Sequence, residues 1–151
     1  MRKVVFAMAV LGSATVLFAA DAFEGSWKLN STKSKFTEGS APRDEMLVIA
    51  VQGDQFQVSI TGTDQSGSPI SVKYTAPMNG GAGKVIDGPY DGISASRIDA
   101  NTRETIYLKG GKEVRSGLGV ASKDGKTMRV TVIGKDAAGK PVAGVMVFDR
   151  Q

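Results

Sequence analysis

Turn chemistry recurs through this chain at short intervals, and that recurrence limits the fold more than any other feature of the sequence. Glycine-centred signals stand at Gly53-Asp54, Ser66-Gly67, Asn79-Gly80-Gly81, Asp87-Gly88-Pro89, Asp91-Gly92, Gly110-Gly111, Asp124-Gly125 and Ala138-Gly139. A turn about every 8 to 15 residues is the rhythm of an antiparallel all-β domain and leaves no room for crossover helices. Between the turns, apolar and polar residues alternate. Phe56, Val58 and Ile60 interleave with Gln55, Gln57, Ser59 and Thr61, and Ile70, Val72, Tyr74 and Ala76 with Ser71, Lys73 and Thr75, so each run has one dry face and one wet face. Strands are expected at 24–30, 44–52, 55–62, 69–77, 83–87, 93–99, 102–109, 112–121, 126–134 and 141–150. So many short connections favour an up-and-down meander of about ten strands, and closure into a barrel removes its two bare edges.

One pattern occurs twice: Gly62 to Ile70 and Gly134 to Val142 share G-x-D-x-x-G-x-P followed by an apolar residue. In each the Asp can bond its own backbone, the Gly can take a positive φ, and the Pro can open a strand where no ladder donor is needed. One hairpin solution used twice accounts for both copies. A calcium loop needs carboxylates at alternate positions, which neither copy has, and no metal or other cofactor is expected.

The first residues have the form of an export signal. Met1-Arg2-Lys3 is basic, Val4 to Phe18 is apolar, and Ala20-Asp21-Ala22 has the small-x-small form of a cleavage site. The apolar run stops short of the about 20 residues a spanning helix needs. The expected division is therefore a signal peptide at 1–22 and a barrel domain at 23–151, with a cut after Ala20 as the alternative to Ala22. No integral membrane span is expected after cleavage, and the destination is the periplasm or the exterior of a bacterial cell. Removing Met1–Ala22 leaves 17 basic against 14 acidic residues, a mild excess spread along the chain. Together with export, this argues against a nucleic-acid partner. The chain has no cysteine, which excludes disulfides, lipidation at cysteine and a thiol nucleophile.

Enzyme signatures are scarce. With no histidine in the chain, the commonest general base, metal ligand and triad member are missing together. Asp87 and Asp91 flank Gly88-Pro89-Tyr90, an ordinary turn composition with nothing else to mark a carboxylate pair. Gly80 to Val85 and Gly117 to Ser122 lack full phosphate-loop spacing and precede no helix. The chain is not expected to be an enzyme.

The only tryptophan lies in Phe23-Glu24-Gly25-Ser26-Trp27-Lys28-Leu29-Asn30. Phe23, Gly25, Trp27 and Leu29 share one parity, so this is a half-buried first strand with Trp27 pointing inward. The stretch resembles the lipocalin and fatty-acid-binding protein superfamily, the calycins, whose first strand carries a Gly-x-Trp motif. It is also similar to small exported bacterial proteins with an F-x-G-x-W-K-L-N start and no assigned activity. The resemblance implies a lipocalin-like β-barrel in which Trp27 plugs one end beneath a basic side chain from a late strand, Arg150 first and Arg129 second. Two departures limit it. Ser31 to Arg43 is too short for the helical pair of fatty-acid-binding proteins, and their carboxylate-binding Arg-x-Tyr corresponds to Met146-Val147-Phe148, so that headgroup site does not carry over.

A barrel of this strand number can be wider than its own side chains fill. Inward candidates for ligand contact are Tyr74, Ser116, Met128, Met146 and Phe148, with Arg97 joining them if Ile93 and Ala95 face inward. The function expected is binding of a small apolar or amphipathic molecule. The alternatives are a filled barrel acting as an interaction or structural protein of the envelope and, more distantly, a carboxylate-based hydrolase. Two runs, Met46 to Val51 and Val142 to Phe148, do not alternate. Their outward residues are provisionally Leu47, Ile49, Val145 and Val147, an apolar strip that either Ser31 to Arg43 covers through Phe36, leaving the expected monomer, or a second subunit covers in an isologous dimer.

Overall fold

The computed structural model describes residues 20–151; the expected leader lies outside the described residues except for Ala20, Asp21 and Ala22. Among the described residues there is no helix. Twelve strands form one antiparallel sheet: β1 (Gly25–Leu29), β2 (Lys35–Glu38), β3 (Asp44–Gln52), β4 (Gln55–Thr63), β5 (Pro69–Pro77), β6 (Asn79–Ala82), β7 (Lys84–Asp87), β8 (Gly92–Asp99), β9 (Thr102–Lys109), β10 (Lys112–Ala121), β11 (Thr127–Lys135) and β12 (Pro141–Arg150). The sheet order is β6-β8-β9-β10-β11-β12-β1-β3-β4-β5-β7, a meander whose first and last tracks meet. The result is a nearly closed antiparallel barrel, compatible with a calycin-like one.

All ten expected strands are present, and the two additional ones explain how the barrel closes. β2 shares the track of β1: both pair with β12, β1 along Phe148–Arg150 and β2 along Ala143–Val145. Likewise β6 pairs with β8 while β7 pairs with β5, so residues 79–87 fill the seam by leaning first on one wall and then on the other. The switch falls at Gly83, whose N–H donates to the Ile93 carbonyl at 2.8 Å. A Cβ at Gly83 would lie 2.5 Å from the Thr75 carbonyl oxygen, 2.7 Å from Ile93 Cγ2 and 2.8 Å from Ala76 Cβ. Only a residue without a side chain fits between the two walls.

Alternation sets the interior. Trp27, Ile49, Phe56, Val58, Tyr74, Ala76, Ile93, Ala95, Met128 and Phe148 all point inward and are almost fully buried. The expected outward strip needs correction. Leu47 and Ile49 are inside, and the outward residues of β3 include Val48, because the register Trp27↔Leu47 and Gly25↔Ile49 gives them the parity of Trp27. Val147 does face outward, and the Asn30–Ser34 turn covers it: its N–H donates to Ser34 Oγ and its carbonyl accepts from Asn30 N. Phe36 packs against the core side instead of over an outer strip.

Candidate functional site

The two ends of the barrel are built differently. At one end Trp27 is fully buried, and its indole Nε1 donates to the Phe23 carbonyl at 2.8 Å. The Arg150 guanidinium lies 4.1 Å from the indole centroid, close enough for a cation–π contact. It also donates to three backbone carbonyls, those of Ala22, Glu24 and Gly125. Gly25, with φ +133°, makes room for it, since a Cβ there would be 2.5 Å from Arg150 Nη1. Arg150 thus stands where the resemblance expected a basic partner, whereas Arg129 is exposed on β11. Arg97 also lies at this end, its guanidinium paired with Asp21 and over the Phe56 ring.

Above this plug the barrel encloses a cavity of about 900 Å³, within the range of ligand sites. Its walls are apolar, from Leu47, Ile60, Val72, Val130, Met146 and Phe148. Its floor is not. Arg103 is 6% exposed, with its guanidinium 5.0 Å from the Phe56 centroid and 5.7 Å from that of Phe23. One guanidinium nitrogen reaches the Tyr74 hydroxyl at 3.5 Å, a long contact, and Nη1 has no protein partner. A buried donor without an acceptor is costly, and this one belongs to a cavity-lining residue.

Higher in the cavity Glu45, Arg115, Tyr90 and Tyr107 form a polar belt. Arg115 Nη2 contacts Met146 Sδ at 4.0 Å. Burial pushes the Glu45 carboxyl up to about 7, with the Arg115 charge opposing the shift. Burial also raises the Tyr107 hydroxyl well above its ordinary range, reinforced by the neighbouring Tyr74. Tyr107 packs edge-on against Tyr74 and tilted against Tyr90, so the three rings form one aromatic ledge. Loops at 39–42, 64–68 and 136–140 frame the mouth. The last two are the repeated sequence pattern and fold alike: Asp64 accepts from the N–H groups of Ser66 and Ser68, and Asp136 from those of Ala138 and Lys140. Asp87 accepts from Ser71 Oγ across the β5–β7 pair, and Asp91 accepts from Gly110 N of the β9–β10 turn.

The expected ligand contacts divide accordingly. Met146 and Phe148 line the cavity. Tyr74 is buried beside it, touching Arg103, and Met128 is buried in the core on the β11 side. Arg97 shares the inward parity of Ile93 and Ala95, but it serves the plugged end and lines no part of the large cavity. Ser116 is a correction: it pairs with Ile133, which is 62% exposed, on the outer face. Gly117 and Gly119 point inward instead, while Leu118 and Val120 are 40% and 42% exposed. The inversion has a cause. A Cβ on Gly119 would stand in ordinary contact, 3.7 Å from Arg103 Cγ and 3.8 Å from Met128 Sδ, and the atoms of a leucine beyond it would need the space that the arginine fills. Alternation of apolar residues could not reveal Arg103, Arg115, Glu45 or Tyr107, because each places a polar group on the dry side. The available signal was the pairing of Arg103-x-Thr105-x-Tyr107 with a glycine-rich partner strand. No protein-family model and no curated protein matches the chain.

Proposed function

We propose that this is an exported, calycin-like, non-enzymatic binding protein whose barrel takes one small amphipathic molecule, apolar body against the walls and polar head at Arg103. One observation carries the reading: an apolar cavity of about 900 Å³ with a buried guanidinium nitrogen left without a partner at its floor. An apolar ligand would fill the walls yet leave Nη1 unsatisfied, whereas an anionic or strongly accepting head would satisfy it. The filled-barrel alternative has the volume of the cavity against it.

A pair of fluorescent probes tests this. N-phenyl-1-naphthylamine is neutral, and its 8-sulfonate differs by one anionic group. Both are expected to bind saturably and to compete for one site, the sulfonate more tightly. Arg103→Met should weaken the sulfonate by roughly ten- to a hundredfold, the scale of a hydrogen bond to a charged group, and leave the neutral probe almost unchanged. Equal affinities that ignore Arg103 would leave a cavity without the assigned head position. The absence of saturable binding by either probe would remove the binding reading altogether.

A further inference from the structure

Asp21 and Ala22, which the small-x-small pattern would assign to the discarded leader, are built into the plugged end of the barrel. The Asp21 side chain is 7% exposed. One of its carboxylate oxygens accepts from Phe23 N at 2.8 Å and the other pairs with the Arg97 guanidinium. The Glu24 N–H closes a turn onto the Asp21 carbonyl at 3.2 Å, and the Ala22 carbonyl accepts from Arg150 at 2.8 Å. Ala20, by contrast, is exposed. Resting on the export reading, we propose that the leader is removed at or before the Ala20–Asp21 bond, so that the mature protein keeps Asp21 and Ala22 as the cap of its closed end.

The electrostatics of the alternative cut support this. Cleavage after Ala22 would create an ammonium on Phe23, whose side chain is fully buried. That charge would form where Asp21 is lost, on the nitrogen that had shared the Asp21 carboxylate with the Arg97 guanidinium. Two like charges left facing each other without the carboxylate that had joined them repel. Arg150 would also lose one of the three carbonyls that hold it over Trp27. The other carboxylate lining this recess, Glu24, accepts from the Val51 N–H at 3.4 Å through one of its oxygens. A cut after Ala20 instead sets the new ammonium on Asp21 itself, next to an exposed position and its own carboxylate.

The test is the full-length gene expressed in a bacterial host that exports it, as wild type and as Asp21→Asn, which preserves the Ala-x-Ala spacing. Intact mass and N-terminal sequence are read on the exported protein, followed by urea unfolding. If Asp21 is retained, the two mature proteins differ in mass by one acid-to-amide exchange, and the variant unfolds at a lower urea midpoint because Arg97 has lost its counter-charge. If the cut falls after Ala22, the two mature proteins are the same molecule, with equal mass, equal midpoint and Phe23 first; that result overturns the proposal while leaving export intact. A mass difference with equal midpoints overturns the capping role. A chain that keeps all its leader residues overturns the export reading and the proposal with it.

Discussion

Glu45 is the residue whose chemistry departs furthest from what its neighbours in sequence suggest. Its carboxyl is raised from an ordinary value of 4.5 to about 7 by burial, so between those values the folded chain holds a proton that the unfolded chain has released. Stability therefore falls as pH rises through this window and levels off above it. With no histidine in the chain, little else titrates there, and the lowered carboxyls of Asp64, Asp99, Asp124 and Asp149 act only as pH falls through their ordinary value of 3.8. Urea midpoints measured at about pH 5 and about pH 8 should drop for the wild type, and Glu45→Gln should flatten the difference. Trp27 makes a second residue-scale prediction: Trp27→Ala should cost about 3–5 kcal/mol in urea unfolding, as deletion of a large buried aromatic does. Its inward direction was legible from parity alone. Glu45 and Arg103 were not, because a polar residue on the dry face is indistinguishable in one sequence from a residue on the wet face.

Among the elements, ten strands were readable, down to the four-residue β7, and two of four residues, β2 and β6, were not. β3, β4, β5 and β12 carry enough consecutive residues for period two or a continuous apolar run to stand out, and β4 and β5 pair in unbroken register from Gln55↔Pro77 to Thr63↔Pro69. β6 is Asn-Gly-Gly-Ala and β2 is Lys-Phe-Thr-Glu; four residues of that composition carry no period, and what makes them strands is a partner across the barrel. β10 shows another failure: the parity that put Ser116 inside pointed the wrong way, since Gly117 and Gly119 face the interior beside Arg103. The seam gives the element-scale prediction. Gly83→Ala should destabilise by about 1–3 kcal/mol, the cost of overpacking, while Lys84→Ala, exposed one residue later, should stay within about 0.5 kcal/mol. Equal midpoints for the two variants would mean the seam tolerates separation of β5 from β8.

For the whole molecule, the turn rhythm and the problem of bare edges were enough to read a closed meander, but not which end would open. That depended on Arg150 and Trp27 meeting at one end while the two like-folded hairpins framed the other, contacts between residues far apart in the chain. The Arg150 contacts to Ala22 and Glu24 span 128 and 126 residues, and β12 is the one strand to which β1, β2 and β11 all attach. Assembly in time therefore has a late step that nothing local can replace. Hairpins such as β3–β4 can form early, but the Trp27 plug has no roof until residues 141–150 arrive, and loop closure over so long a separation is slow compared with local pairing. A chain on its way through a narrow passage would thus stay threadable until its last strand was delivered, and only then become a cup with one end stopped.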